Sequence, residues 1–84
     1  MMEKMNIIKL SRAGEYIANR ASFRASNLMG ISQEDGGYII YSYATCIYME
    51  AGYNDGVLIN RLSERFSRST SRHQSIIKKA LNIK

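Results

Sequence analysis

YIIYSYATCIYME, residues 38–50, carries the fold. Tyr, Ile and Thr dominate it, and these side chains fit a pleated, half-buried surface better than a helix. The run is long for a single strand, and apolar residues fall on both of its faces. Clean alternation fails at residues 42–44, where a bend or bulge is expected. Period-two counting puts Tyr41 and Tyr43 with Ile39 and Ile47, and Tyr38 and Tyr48 opposite them with Ile40 and Cys46.

Working outward, Asp35-Gly36-Gly37 and Asn54-Asp55-Gly56 are tight-turn signals, since Gly and Asn tolerate the positive φ of hairpin turns. Val57-Leu58-Ile59 follows the second turn as a short strand, and residues 27–32 can pair back before the first. Further upstream, residues 11–21 suit a helix with Ser11 as N-cap and Glu15 early, where the macrodipole favours an acid. Downstream, Ser71-Arg72-His73-Gln74 fits a capping box. Ile76, Ile77, Ala80 and Leu81 then form one apolar stripe, with Lys78, Lys79 and Lys84 late in the helix. The expected fold is α+β over one small domain, residues 1–84. It has an antiparallel sheet of three to four strands, and an N-terminal and a C-terminal helix on one face.

Composition narrows the function. The 84 residues have one cysteine, Cys46, so no internal disulfide forms, and no His/Cys pairs with metal-ligand spacing occur. No run reaches the roughly 18 apolar residues of a membrane span. The start, with Glu3 inside MMEKMNIIKLSR, does not read as a secretory signal, and a cytoplasmic location is expected. The net charge of +5 is uneven: residues 1–60 hold five Lys/Arg against six Asp/Glu, and residues 61–84 hold seven against Glu64 alone. A basic third on a near-neutral body is the footprint of a protein that meets anions, either nucleic acid or an acidic protein surface.

That third opens with FSRSTSRHQSIIKKAL, residues 66–81. His73 among hydroxyls invites a nucleophile-and-base reading, but the only nearby carboxylate is Glu64, and an oriented imidazole needs a third group. No enzyme, catalytic residue, metal or cofactor is expected. A phosphate or partner contact fits better: Arg65, Arg68, Arg72, Lys78 and Lys79 supply charge. Ser69, Thr70 and His73 sit near the free amides expected at a helix start. The dense tyrosines are a second feature. Helices on one side cannot cover both sheet faces, so Tyr41, Tyr43 and Tyr48 are candidate interface aromatics.

Three segments, ASFRASNLMG (21–30), YIIYSYATCIY (38–48) and FSRSTSRHQSIIKKAL (66–81), together resemble a family of short, uncharacterised phage-encoded domains. Its members read as an aromatic-Asn-Leu-Gly stretch, a Y-x-V-x-S-Y-G-T-x-I strand and a final Y-S-x-T-T-S-x-H-Q. Ser67, Thr70, Ser71, His73 and Gln74 match the last signature, while Phe66, Ser69, Ala44 and Cys46 depart from the pattern. The resemblance implies a phage or mobile-element source. With it comes an expected role: a non-catalytic, anti-CRISPR-like accessory protein in the host cytoplasm that inhibits or redirects a host nucleic-acid-handling or defence complex. The alternative is a direct DNA- or RNA-binding module built on the basic third.

Overall fold

The computed structural model describes residues 5–53 and 55–83. Glu3, Asn54 and Lys84, which entered the N-terminal, turn and helix-end readings, lie outside the described residues. Among the described residues six strands form one sheet in chain order: β1 Asn6–Ile7, β2 Phe23–Ala25, β3 Leu28–Ser32, β4 Tyr38–Ser42, β5 Thr45–Glu50 and β6 Val57–Asn60. β1 runs parallel to β2 and all other pairs are antiparallel. The α+β class holds, but the sheet is mixed and larger than the three or four antiparallel strands expected. Strands as short as β1 and β2 span too few residues to show a period.

The main correction concerns residues 38–50, which form two strands rather than one bent strand. β4 and β5 pair with Ser42 opposite Thr45, so Tyr43-Ala44 is a two-residue turn. Neither residue is the Gly or Asn that such a turn prefers, yet Tyr43 takes φ +57°. Its amide donates to the Asn27 carbonyl at 2.7 Å, bracing it against the β2–β3 turn, where Ser26 takes φ +56°. Tertiary contact thus holds a conformation that the local sequence disfavours. By contrast, the loop at Asp35-Gly36-Gly37 follows its residue types. Gly36 sits at φ +90°, and Asp35 Oδ1 accepts the Gly37 amide at 2.9 Å.

A bulge completes the hairpin. Ile40 faces Tyr48 but Tyr41 faces Cys46, so Ile47 is the extra residue. It exchanges the faces expected for two side chains: Ile47 turns into the core beside Tyr48, and Cys46 moves to the face of Tyr41. Tyr38, Ile40 and Ser42 keep strict alternation and are buried.

Both helices cover the same face. α1 spans Ala13–Ala18 behind a 3-10 turn at Leu10–Arg12, and buries Ala13 and Ile17. It is shorter than expected: Arg20 at φ +49° reverses the chain. Its N-cap is Arg12, with no side-chain cap, so Ser11 does not fill that role. α2 spans Arg68–Leu81 and buries Thr70, His73, Gln74 and Ile77. Between helices and sheet lie Phe23, Ala25, Leu28, Tyr38, Ile40, Ile47, Tyr48 and Leu62. Gly30 is required there, because a Cβ would collide with the Tyr38 hydroxyl and the Phe23 ring. On the opposite face, register aligns Ile31, Ile39, Met49 and Ile59 in one row and Met29, Tyr41 and Cys46 in another, all half-buried.

Candidate functional site

The start of α2 is capped by Ser67, not by Ser71. Ser67 Oγ accepts the Thr70 amide at 3.3 Å, and the Ser67 carbonyl accepts the Ser71 amide at 2.9 Å. The helix therefore begins four residues earlier than the capping-box reading puts it, and Ser71 is an exposed residue inside it. Gln74 does not return to the cap. Its Nε2 donates to the Arg61 and Glu64 carbonyls at 2.8 and 3.0 Å, tying the β6–α2 loop to the helix.

This shift redistributes the expected site residues. Thr70 and His73 lie on the inner side of α2, buried against the sheet, and are not surface donors. Ser42, 1% exposed, reaches both: its Oγ lies 3.0 Å from Thr70 Oγ1 and 2.7 Å from His73 Nδ1. Ser67 Oγ in turn donates to Thr70 Oγ1 at 3.3 Å. Each hydroxyl has one proton, and with Ser67 donating to Thr70 a single chain of donors satisfies all three contacts. Ser67 donates to Thr70, Thr70 to Ser42, and Ser42 to an unprotonated Nδ1, with the imidazole proton on Nε2. Burial first, then the nearby Arg72 charge, hold His73 below its usual value, which keeps that acceptor neutral.

A hydroxyl at 2.7 Å from an imidazole also has the spacing of a nucleophile and its base. Here the hydroxyl is enclosed, and among the described residues no carboxylate bonds to the imidazole. The contact joins helix to sheet. Ser42 was missed as a site residue because it stands within the run read as a bend. A polar residue continuing the Tyr38–Ile40 alternation, opposite a helix with hydroxyls on its inner side, was the available signal.

The outer side of α2 carries charge. Arg68, Ser69, Arg72 and Lys79 are exposed, with Arg65 just upstream and Lys78 half-buried. Arg68, Arg72, Ser75 and Lys79 follow spacings of four, three and four, so they share one face over about 16 Å of helix. Arg61 differs from them. It chelates Glu64 at 2.9 to 3.0 Å and stacks over Phe66 at 4.9 Å. Among the described residues, Arg65, Arg68, Arg72, Lys78 and Lys79 have no carboxylate partner.

The tyrosines divide in the same manner. Tyr43 is 50% exposed at the β4–β5 turn, its ring 6.0 Å from that of His73 and thus beside the start of α2. Tyr41 sits on the uncovered sheet face. Tyr48 is 2% exposed, and its hydroxyl donates to Glu50 at 2.9 Å, so it is a core residue and not an interface aromatic. The fold therefore brings Tyr43 beside the first turns of α2, on which Arg68, Ser69 and Arg72 are exposed, with Arg65 just upstream in the chain. No protein-family model matches the chain, and neither the curated proteins nor the solved structures hold a detectable relative.

Proposed function

We propose that this chain is a non-catalytic accessory protein of a phage or mobile element that binds an anionic surface on a host nucleic-acid-handling or defence complex and inhibits or redirects it. The observation that carries the reading is the two-sided helix. The inner side of α2 is held to the sheet by neutral hydrogen bonds, which leaves Arg65, Arg68, Arg72 and Lys79 unneutralised among the described residues. Guanidinium groups on a rigid helix, next to an exposed tyrosine, are the usual chemistry of an interface centre. The phage source and the inhibitory role rest on the resemblance of residues 21–30, 38–48 and 66–81.

Direct DNA or RNA binding is the second reading, favoured by Tyr43: an exposed ring among arginines can stack a base while the guanidiniums meet phosphates. The test is charge reversal of Arg65, Arg68 and Arg72 to Glu, in capture from host lysate with and without nuclease. The variant is expected to fold with a melt near wild type, because exposed arginines contribute little to stability. Partner binding is expected to weaken by a factor of roughly one hundred, since each hydrogen bond to a charged partner is worth about 1.5–3 kcal/mol. A folded triple variant with full affinity sinks the surface. Capture that vanishes with nuclease, alongside a gel shift at low salt, selects the second reading.

A further inference from the structure

A groove runs between α2 and the start of α1. Leu10, Gly14, Ile76 and Ala80 form its apolar floor, Ser11 on the α1 side and Arg72 and Lys79 on the α2 side complete the lining, and the open groove has a volume of about 460 Å³. Gly14 adds no side chain to the groove, and a Cβ there would stand 3.8 Å from the Ala80 Cβ, in ordinary van der Waals contact, so a larger side chain at this position would project into the groove. The volume is that of clefts which take a few side chains.

Two properties select the occupant. Every side chain on the floor is aliphatic, so a nucleic-acid base finds no ring to stack on and phosphates gain nothing from it. The two charged residues that line the groove, Arg72 and Lys79, are both cationic and in line with Arg68 along the same helix face, so negative charge beside the apolar contact is the complementary partner chemistry. We propose that the groove receives a short acidic amphipathic segment of a partner protein, with aliphatic or aromatic anchors against Ile76 and Ala80 and carboxylates against Arg72 and Lys79. This is the helix-in-groove mode of recognition. The inference rests on the protein-partner reading above and names the chemistry of that partner.

The test titrates the isotope-labelled chain with a synthetic 15-residue peptide carrying Leu and Phe at helical spacing and Glu elsewhere. Controls are the same composition scrambled and a 15-nucleotide oligothymidylate. The expected result is movement of the Gly14, Ile76 and Ala80 amide signals with the patterned peptide, and affinity at least tenfold above the scrambled one. Gly14→Leu fills the groove and Lys79→Glu reverses its rim, and each is expected to weaken binding at least tenfold. Equal affinity for both peptides, or shifts confined to residues away from the groove, overturns the proposal. So does movement of the same amides by the oligonucleotide alone. The map on the unmodified chain decides this even if Gly14→Leu does not fold. Host capture lost in the triple arginine variant but kept in folded Gly14→Leu would overturn the groove and leave the basic surface standing.

Discussion

Beside the β3–β4 and β5–β6 loops, the charges of Arg20 and Glu50 are neutralised within the fold. At the end built from the β4–β5 turn and the start of α2, charge is left outside. In the first region Arg20 forks onto Glu50 at 2.9 and 2.7 Å, and the Tyr48 hydroxyl bonds the same carboxylate. Arg20, assisted by the Tyr48 hydrogen bond, holds the Glu50 carboxyl below its usual value, while burial first and Glu50 second push Tyr48 up to about 12. In the second region the side-chain contacts that tie helix to sheet run, among the described residues, through uncharged groups, from Ser67 through Thr70 and Ser42 to His73. The difference shows how a small protein can keep a basic surface available. Where ion pairs hold a fold together the charges are occupied, and where uncharged hydrogen bonds do so the arginines remain free for a partner.

The largest effect expected is at the neutral end. Ser42→Ala leaves His73 Nδ1 without a partner and Thr70 Oγ1 with Ser67 alone, and should cost about 2–3 kcal/mol in urea unfolding, because an orphaned buried polar group costs about 1–3 kcal/mol and a lost hydrogen bond adds to it. A loss of a few tenths would mean that the chain of hydroxyls does not hold the helix. Next comes the cap: Ser67→Ala should cost about 1 kcal/mol, while Ser71→Ala should leave the thermal melt unchanged. The reverse ranking would restore the capping box at Ser71. At the charged end the expected effect is smaller. The Arg20 side chain is 43% exposed, so Arg20→Gln should cost less than about 1 kcal/mol and lose most of that difference in high salt.

Acid titration separates the two ends by pH. His73 is held below its ordinary 6.5 in the folded chain, so its contribution is complete above that pH. It declines as pH falls from there toward the folded value, because the unfolded chain takes up the proton first. Glu50 is held below its ordinary 4.5, so the Arg20–Glu50 contribution persists above that pH and disappears only as pH drops through the lower folded value. Stability measured from pH 8 to 3 should therefore fall in two stages, the first abolished by His73→Gln and the second by Glu50→Gln. A single stage near pH 4 in the unmodified chain would show that the imidazole is not part of the lock.

Local pattern accounts for much of this molecule. Tyr- and Ile-rich runs make strands because branched and aromatic side chains pack on a pleat. Asp35-Gly36-Gly37 turns because glycine accepts the φ required, and Ile76, Ile77, Ala80 and Leu81 recur at helical spacing, so α2 was visible before its start was. The uneven charge was visible as well, but the contact set read from it held Thr70 and His73, which the fold buries, and Lys78, which is half-buried, beside the exposed Arg65, Arg68, Ser69, Arg72 and Lys79. What local pattern could not decide is where competing, nearly equivalent choices resolve. Four hydroxyls between Ser67 and Ser71 can each cap a helix, and the one that does is set by Ser42, more than twenty residues away, which draws Thr70 and His73 inward. One extra residue, Ile47, exchanges core and surface for its neighbours, because a strand's side chains alternate with a period of two and any bulge reverses them. The Tyr43-Ala44 turn, without a glycine, is braced by the Asn27 carbonyl on the adjoining turn, which accepts the Tyr43 amide. These are contacts between residues far apart in the chain, and they become definite only when the sheet and helix close on each other.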